Sequence, residues 1–108
     1  MLSAGGVVAL ASAAVEALGV AGIPEDAALS ALLPLMKSAL RGLKKRGLTG
    51  GITGPVARGD AGVVRAHLAA LPPDLGGLYR DLCRRALARM GGKLPPETRR
   101  ELEQLLRG

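Results

Sequence analysis

Tyr79 is the only aromatic residue in this chain of 108 residues, which has no Phe and no Trp. A core without aromatic rings must be built of Leu, Val and Ala, which pack well between helices. β-Strands favour aromatic and β-branched side chains, and this chain has few of either. Because 48% of the residues are hydrophobic and the length suits one core, we predict a single domain over residues 1–108. Its predicted fold is all-α, a compact bundle of about five helices.

Proline, glycine and acidic residues interrupt the apolar pattern at intervals and indicate where helices begin and end. We predict a helix over residues 2–22, and a second one from Pro24 to Gly47 with a kink at Pro34. Its predicted apolar face consists of Leu29, Leu32, Leu33, Met36, Leu40 and Leu43. The sequence DAGVVRAHLAAL predicts a short helix with Asp60 as its N-cap.

The first of the last two predicted helices follows Pro72-Pro73, and the second begins with Pro95-Pro96. For the first of them we expect Asp74 as the N-cap and Gly91-Gly92 as the stop. Its expected apolar face consists of Leu75, Tyr79 with Leu78, Leu82, Ala86 and Met90. For the second we expect inward-facing Leu102, Leu105 and Leu106, and an ion pair between Glu103 and Arg107 at i,i+4.

Residues 2–22, LSAGGVVALASAAVEALGVAG, are apolar almost all round and allow three interpretations. A signal peptide needs a basic start, which Met1-Leu2-Ser3 does not supply. A membrane span would place Glu16 in the apolar interior of the bilayer, where a carboxylate is costly. A helix that is buried on most sides in a protein needs neither feature, so we favour it. Because about five helices cannot cover such a helix, we expect a homodimer with Val7 and Leu10 interfacial or buried.

Few residues can carry metal or thiol chemistry. Cys83 is the only cysteine and His67 the only histidine, which excludes an intramolecular disulfide and a C-x-x-C site and leaves too few ligands for zinc. We interpret Cys83 as a small buried hydrophobic residue and His67 as a residue at the helix surface or the edge of the core. We therefore predict no metal site, no catalytic residue and no cofactor-binding residue in this chain.

The net charge of +6 could attract an anionic partner. The basic residues do not form one block, and Lys37, Arg41, Lys44 and Lys45 are at helical spacing, as expected for a solvated helix face. Single-strand binding also needs aromatic platforms. We therefore do not expect nucleic acid as a partner. The absence of Asn and the seven prolines are typical of a heat-adapted source or of GC-rich coding.

The stretch LTGGITGPVARGD, Leu48 to Asp60, interrupts the helical pattern. It lacks the G-K-[ST] of a P-loop and the G-x-G-x-x-G of a dinucleotide fold. Its local chemistry predicts turns at the glycines, a helical turn from Pro55 to Arg58, a break at Gly59 and a cap at Asp60. A loop with free N–H groups, two hydroxyls and one Arg could also form a polar wall for an anionic ligand.

The string TGPVARGD, Thr53 to Asp60, followed by HLAAL and LYRDL, resembles a known family. Its members carry a C-terminal helical domain of unknown function after a Rossmann-like domain, in oxidoreductases thought to depend on NAD(P). They are similar to pyrroline-5-carboxylate reductase and to the C-terminal fold of 6-phosphogluconate dehydrogenase. The likeness covers roughly residues 5–90 and includes Pro34. The Rossmann half, and a histidine that usually precedes the family's first helix, are missing from this sequence.

The resemblance implies a cytoplasmic dimerisation and substrate-side domain that is catalytically silent alone and meets NAD(P) only through a Rossmann domain. It implies that Thr53, Gly54, Pro55, Arg58 and Asp60 line one wall of a ligand cleft. The alternative is a small basic helical protein that binds nucleic acid or an acidic protein partner, and a membrane-anchored protein is a third possibility. Binding measured against salt concentration separates the first two, because phosphate contacts give a steep slope.

Overall fold

The computed structural model describes residues 1–107, which contain five α-helices and no β-strand. The helices are α1 (Ala4–Val20), α2 (Glu25–Gly51), α3 (Ala61–Ala70), α4 (Pro73–Met90) and α5 (Pro96–Leu105), and a 3₁₀ turn spans Gly91–Lys93. The prediction of an all-α fold with about five helices is confirmed. Contacts group the chain into two compact units, Met1–Arg41 and Gly42–Gly108, which we describe separately. The single domain over residues 1–108 stays a prediction.

The second unit holds the hydrophobic core, which lies between α3, α4 and α5. Its buried members are aliphatic or sulfur-containing, as a chain without Phe and Trp requires: Val56, Ala61, Val64, Cys83, Leu87, Met90, Leu102 and Leu106. Leu102 and Val64 are fully buried, and Leu106 is 1% exposed. Leu105 packs against this core from a half-buried position. The predicted inward face of the last helix is therefore confirmed, as is Cys83 as a buried hydrophobic residue.

Helix α4 departs from its prediction at its start and in part of its face, in which Met90 is buried and Tyr79 and Ala86 pack against the core as predicted. It begins at Pro73, so Asp74 lies in the first turn and is not the N-cap. A proline suits the first helical position because its missing N–H has no partner there, and the carbonyl of Pro72 accepts from the Gly76 amide at 2.8 Å. The buried residues are Gly76, Cys83, Leu87 and Met90, whereas Leu82 is 41% exposed. The stop after Met90 is as predicted.

Arginine side chains make the charged contacts of α5, and one of them, Arg65 of α3, pairs with Glu101 at 3.6 Å. The predicted pair Glu103–Arg107 is wrong, because Glu103 Oε1 accepts from Arg99 Nε at 2.9 Å and the helix ends at Leu105, before Arg107 reaches helical register. Arg84 of α4 donates to the Leu106 carbonyl and to Asp81. A cation therefore lies at the C-terminus of α5, where the helix dipole favours positive charge.

The first unit buries very little. Helix α1 has no buried residue, and Val7 and Leu10 are 40% and 41% exposed. The prediction that this helix is buried on most sides is wrong within the single chain. Ala28 of α2 is fully buried, while Leu29 and several of its predicted partners on the apolar face are exposed. The small side chains of α1 leave little volume to bury, so its apolar surface stays open in one copy of the chain.

Helix α2 is interrupted at Gly47 and not at Pro34. Gly47 has φ 73° and ψ −170°, which breaks the helix, and a further helical turn reaches Gly51. A φ in this range favours glycine because a Cβ would crowd the backbone. Helical torsion angles continue through Pro34, so the expected kink there is not matched by a break in the helix. The predicted stop at Gly47 falls at the observed interruption.

None of the helices within residues 1–107 combines the length and the apolar character that a membrane span requires.

Candidate ligand-facing loop

The segment from Leu48 to Asp60 leaves the interrupted end of α2 and leads into α3. Arg46 Nε donates to the Gly50 carbonyl at 3.0 Å, which holds the short turn after Gly47 against the end of the helix. Ile52 N–H donates to the Thr49 carbonyl at 3.3 Å and closes this turn. The glycines near the start of the loop are thus used in local turn geometry, as the sequence predicts.

A second turn, from Gly54 to Asp60, ends like a short helix. The Asp60 N–H donates to the Pro55 carbonyl at 2.8 Å, and the Gly59 N–H donates to the Val56 carbonyl at 3.1 Å. These two bonds, around a Gly59 with φ +68°, form a Schellman motif. The turn predicted from Pro55 to Arg58 and the break at Gly59 are confirmed.

Packing fixes this turn to the core of the second unit. Val56 is 4% exposed and belongs to the core cluster. A Cβ on Gly59 would lie 2.7 Å from Thr98 Cγ2, so the backbone approaches α5 more closely than any larger residue allows. The loop is therefore held at two points on one side.

The five candidate wall residues differ in exposure. Thr53 and Arg58 are exposed, and Gly54, Pro55 and Asp60 are half-buried. Asp60 Oδ1 accepts from the Val63 N–H at 3.2 Å, so the carboxylate is the N-cap of α3 as predicted. The three observed ion pairs within residues 1–107 involve neither Arg58 nor Asp60. The structure thus brings the five residues onto one short loop, with Arg58 facing solvent.

The expectation of free backbone N–H groups is wrong for the second half of the loop. The amides of Arg58, Gly59, Asp60 and Ala61 all donate to carbonyls of the same segment. The Schellman motif consumes two of them, because a helical turn that ends in a left-handed glycine closes its own hydrogen bonds. Any ligand on this side would therefore be bound chiefly by side chains, and Arg58 is the only cationic side chain among them.

A polar cluster joins α3 and α4, and the sequence did not indicate it. His67 Nδ1 and Tyr79 Oη are hydrogen-bonded at 2.9 Å, and the two rings are T-shaped, with centroids 5.5 Å apart. Burial is the main cause that raises the pKa of Tyr79 to about 12, and the neighbouring Cys83 thiol adds to the rise. Burial also raises the pKa of Cys83, which a hydrogen bond with Tyr79 opposes. The only available signal was that His67 and Tyr79 both lie in the motifs of the resemblance.

This cluster is not a nucleophile–base pair of the usual kind. A raised thiol pKa means less thiolate at neutral pH, and the thiolate is the reactive form. Within residues 1–107, no group of three or more His, Cys, Asp or Glu residues is arranged to hold a metal ion. We therefore interpret the cluster as a polar contact between α3 and α4, with His67 at its exposed end.

A family model describes most of this chain. Comparison with curated proteins and with solved structures found no match. The model of the Domain of unknown function (DUF2520) matches residues 1–86, which include α1, α2, the loop up to Asp60, α3 and most of α4. The 3₁₀ turn and α5 lie beyond the matched residues. Since the match covers well over half of the sequence, the chain belongs to the DUF2520 family.

Proposed function

We propose that this chain is the dimerisation and substrate-side helical domain of a Rossmann-type NAD(P)-dependent oxidoreductase. In this proposal the domain is cytoplasmic, has the fold of the 6-phosphogluconate dehydrogenase C-terminal domain, and is catalytically silent alone. It forms a homodimer and meets NAD(P) through a Rossmann domain. The TGPVARGD string that carries the resemblance supports the proposal.

The observation that carries the proposal is the attachment of the loop between Thr53 and Asp60. Val56 and the close approach of Gly59 to Thr98 hold its backbone, while Thr53 and Arg58 remain exposed. A side chain that contacts a substrate must be held in place by other residues, which do not themselves contact the substrate. In the proposed role Arg58 binds an anionic group of the substrate, because its planar fork of N–H donors suits carboxylates and phosphates.

The absence of a strand in residues 1–107 supports silence of the isolated domain. A dinucleotide site of the Rossmann type needs a strand, a glycine turn and a helix N-terminus in sequence. We expect calorimetric titration of the isolated chain with NADPH to give no heat of binding. Micromolar binding would contradict the proposal.

A domain exchange tests the proposal directly. The helical domain of a two-domain member of the family is replaced by this chain, and the chimera is assayed for NADPH binding and assembly. We expect the chimera to bind NADPH as the parent does and to form a dimer. Arg58→Ala should leave both properties intact and weaken only substrate turnover. A matched Arg65→Ala variant, on the exposed side of α3, should leave turnover unchanged. A folded chimera that stays monomeric and does not bind NADPH would refute the proposal.

A further inference from the structure

The excess positive charge of this chain is confined to one segment. Residues 27–59 contain six cations and no carboxylate, whereas the rest of the sequence contains nine cations and nine carboxylates. The whole net charge of +6 therefore lies in residues 27–59, which cover α2 after its first two residues and most of the loop that follows it. Basic residues occur along most of the sequence, but outside residues 27–59 they are matched in number by carboxylates.

The structure shows the same division in its ion pairs. Within residues 1–107 the observed pairs are Arg65–Glu101, Arg84–Asp81 and Arg99–Glu103, all in the part of the chain that is neutral overall. No cation of residues 27–59 takes part in any of them. All six are exposed: Lys37, Arg41, Lys44, Lys45, Arg46 and Arg58.

Four of these cations follow one stripe of α2. Lys37, Arg41 and Lys44 are spaced by four and three residues, and Lys45 is four residues after Arg41, which places all four side chains on the same side of a helix. At a rise of about 1.5 Å per residue the stripe is about 12 Å long. We call these four residues the cationic stripe. It is followed by Arg46, which is engaged with the Gly50 carbonyl.

The helix dipole accounts for the cationic stripe only in part, because Lys44 and Lys45 lie in the last turn before the break at Gly47, whereas Lys37 and Arg41 lie further from it. The negative end of a helix is equivalent to about half an elementary charge, and its effect fades within the last turn. Four cations at i,i+3 and i,i+4 spacing repel one another. No carboxylate within residues 27–59 relieves that repulsion, so an external anion would.

We infer that the cationic stripe binds the phosphate backbone of double-stranded nucleic acid without sequence preference. An exposed stripe on a helix suits an extended polyanion, because small-ligand sites are concave. A duplex carries one charge per about 1.7 Å of its axis, so a stripe of about 12 Å meets several phosphates. Single strands are disfavoured because Tyr79 is the only aromatic platform. This activity goes beyond the proposed oxidoreductase role and does not depend on it.

The experiment is a titration of a short labelled duplex with the full chain, followed by fluorescence anisotropy at increasing salt. We compare the wild type with Lys44→Gln/Lys45→Gln and with the control Arg65→Gln/Arg99→Gln. Both double variants lower the net charge by two, but only the control removes cations that have carboxylate partners. Circular dichroism confirms that each variant is folded.

We expect wild-type binding with a slope of log K against log salt of about −3.6, since each phosphate contact contributes about −0.9. Lys44→Gln/Lys45→Gln should halve that slope, and the control should leave it nearly unchanged. Equal weakening by both variants would show attraction by net charge alone and overturn the inference. So would no binding at about 50 mM salt, or equally tight binding of polyglutamate or anionic vesicles. NADPH binding and dimerisation are measured separately, so the two proposals can fail independently.

Discussion

At the scale of single residues, the hydrogen-bonded pair His67–Tyr79 shows how a contact between helices changes one titration. In the folded chain the pKa of the Tyr79 hydroxyl is about 12, against 10.0 for an ordinary tyrosine, so the hydroxyl keeps its proton to a higher pH. A group whose pKa rises on folding stabilises the fold below its unfolded pKa and loses that contribution as the pH passes the folded value.

We therefore expect the free energy of unfolding to fall between about pH 10 and about pH 12, in part because of Tyr79. Tyr79→Phe should make this fall shallower, because the variant has no proton to lose there. Chemical denaturation of both proteins at a series of pH values measures the difference. Tyr79→Phe also removes the hydrogen bond to His67, which lowers the free energy of unfolding below pH 10 as well. The test is therefore the slope of the free energy of unfolding against pH above pH 10, compared between the two proteins. Parallel curves above pH 10 would contradict the prediction.

Asp60 and Arg58 differ in what their removal should do. Asp60→Ala should lower the free energy of unfolding by about 0.5–2 kcal/mol, because the Val63 amide loses its acceptor at the start of α3. Arg58→Ala should change it by less than about 0.5 kcal/mol, because the side chain is exposed. Urea denaturation measures both, and Asp60→Asn, which keeps a capping oxygen, is the control. A large loss for Arg58→Ala would give that residue a structural role.

At the scale of elements, the loop from Leu48 to Asp60 was predictable from its own sequence because its structure is local. Glycine, proline and aspartate set the turn, the break and the cap within eight residues, and all three were found. The start of α4 was missed by two residues, because an N-cap at Asp74 places the first helical residue at Leu75 and the helix begins at Pro73. Pro73 and Asp74 both suit a helix start. The contact of His67 with Tyr79 and the approach of Gly59 to Thr98 depend on how helices pack, which no local pattern specifies.

Two glycines of this loop allow a matched comparison. Gly54 and Gly59 both have positive φ, but a Cβ on Gly54 has open space, whereas one on Gly59 meets Thr98 Cγ2. Gly54→Ala should cost about 1–2 kcal/mol for the left-handed backbone alone. Gly59→Ala should cost clearly more, because Thr98 must also move.

The difference between Gly59→Ala and Gly54→Ala is measured by thermal or urea denaturation. Adding Thr98→Ala to Gly59→Ala removes the methyl that causes the close contact, so the double variant should recover part of the stability. Equal costs for the two glycine substitutions would mean that the loop moves away from α5 without loss, and the attachment that we assign to Gly59 would be wrong.

At the scale of the whole molecule, exposed apolar side chains are distributed very unevenly. Of the fifteen large ones that are exposed within residues 1–107, eleven lie in the unit Met1–Arg41. This unit has one buried apolar residue, Ala28, so it cannot gain stability from a core of its own. A large exposed apolar surface marks a site of interaction.

We expect the chain to form a dimer at micromolar concentration and Leu10→Asp to make it monomeric, because α1 supplies the proposed interface. Light scattering coupled to gel filtration measures the mass of each. Leu48→Asp is the control, since Leu48 is 60% exposed but lies outside this unit. A wild type that is monomeric, with Leu10→Asp still folded, would refute the prediction. Dissociation by Leu48→Asp alone would place the interface elsewhere.

Helix α5 lies outside the residues that the family model matches, but it contributes to the hydrophobic core. The family model ends at residue 86, yet Leu87, Met90, Leu102 and Leu106 supply half of the buried core. A fragment of residues 1–86 would keep the loop from Leu48 to Asp60 but would lose Thr98, which Gly59 approaches closely. Such a fragment should remain unstructured until a peptide carrying α5 is added in trans. Similarity between sequences therefore marks what these proteins have inherited, and the autonomous unit of folding extends to a helix that this similarity leaves out.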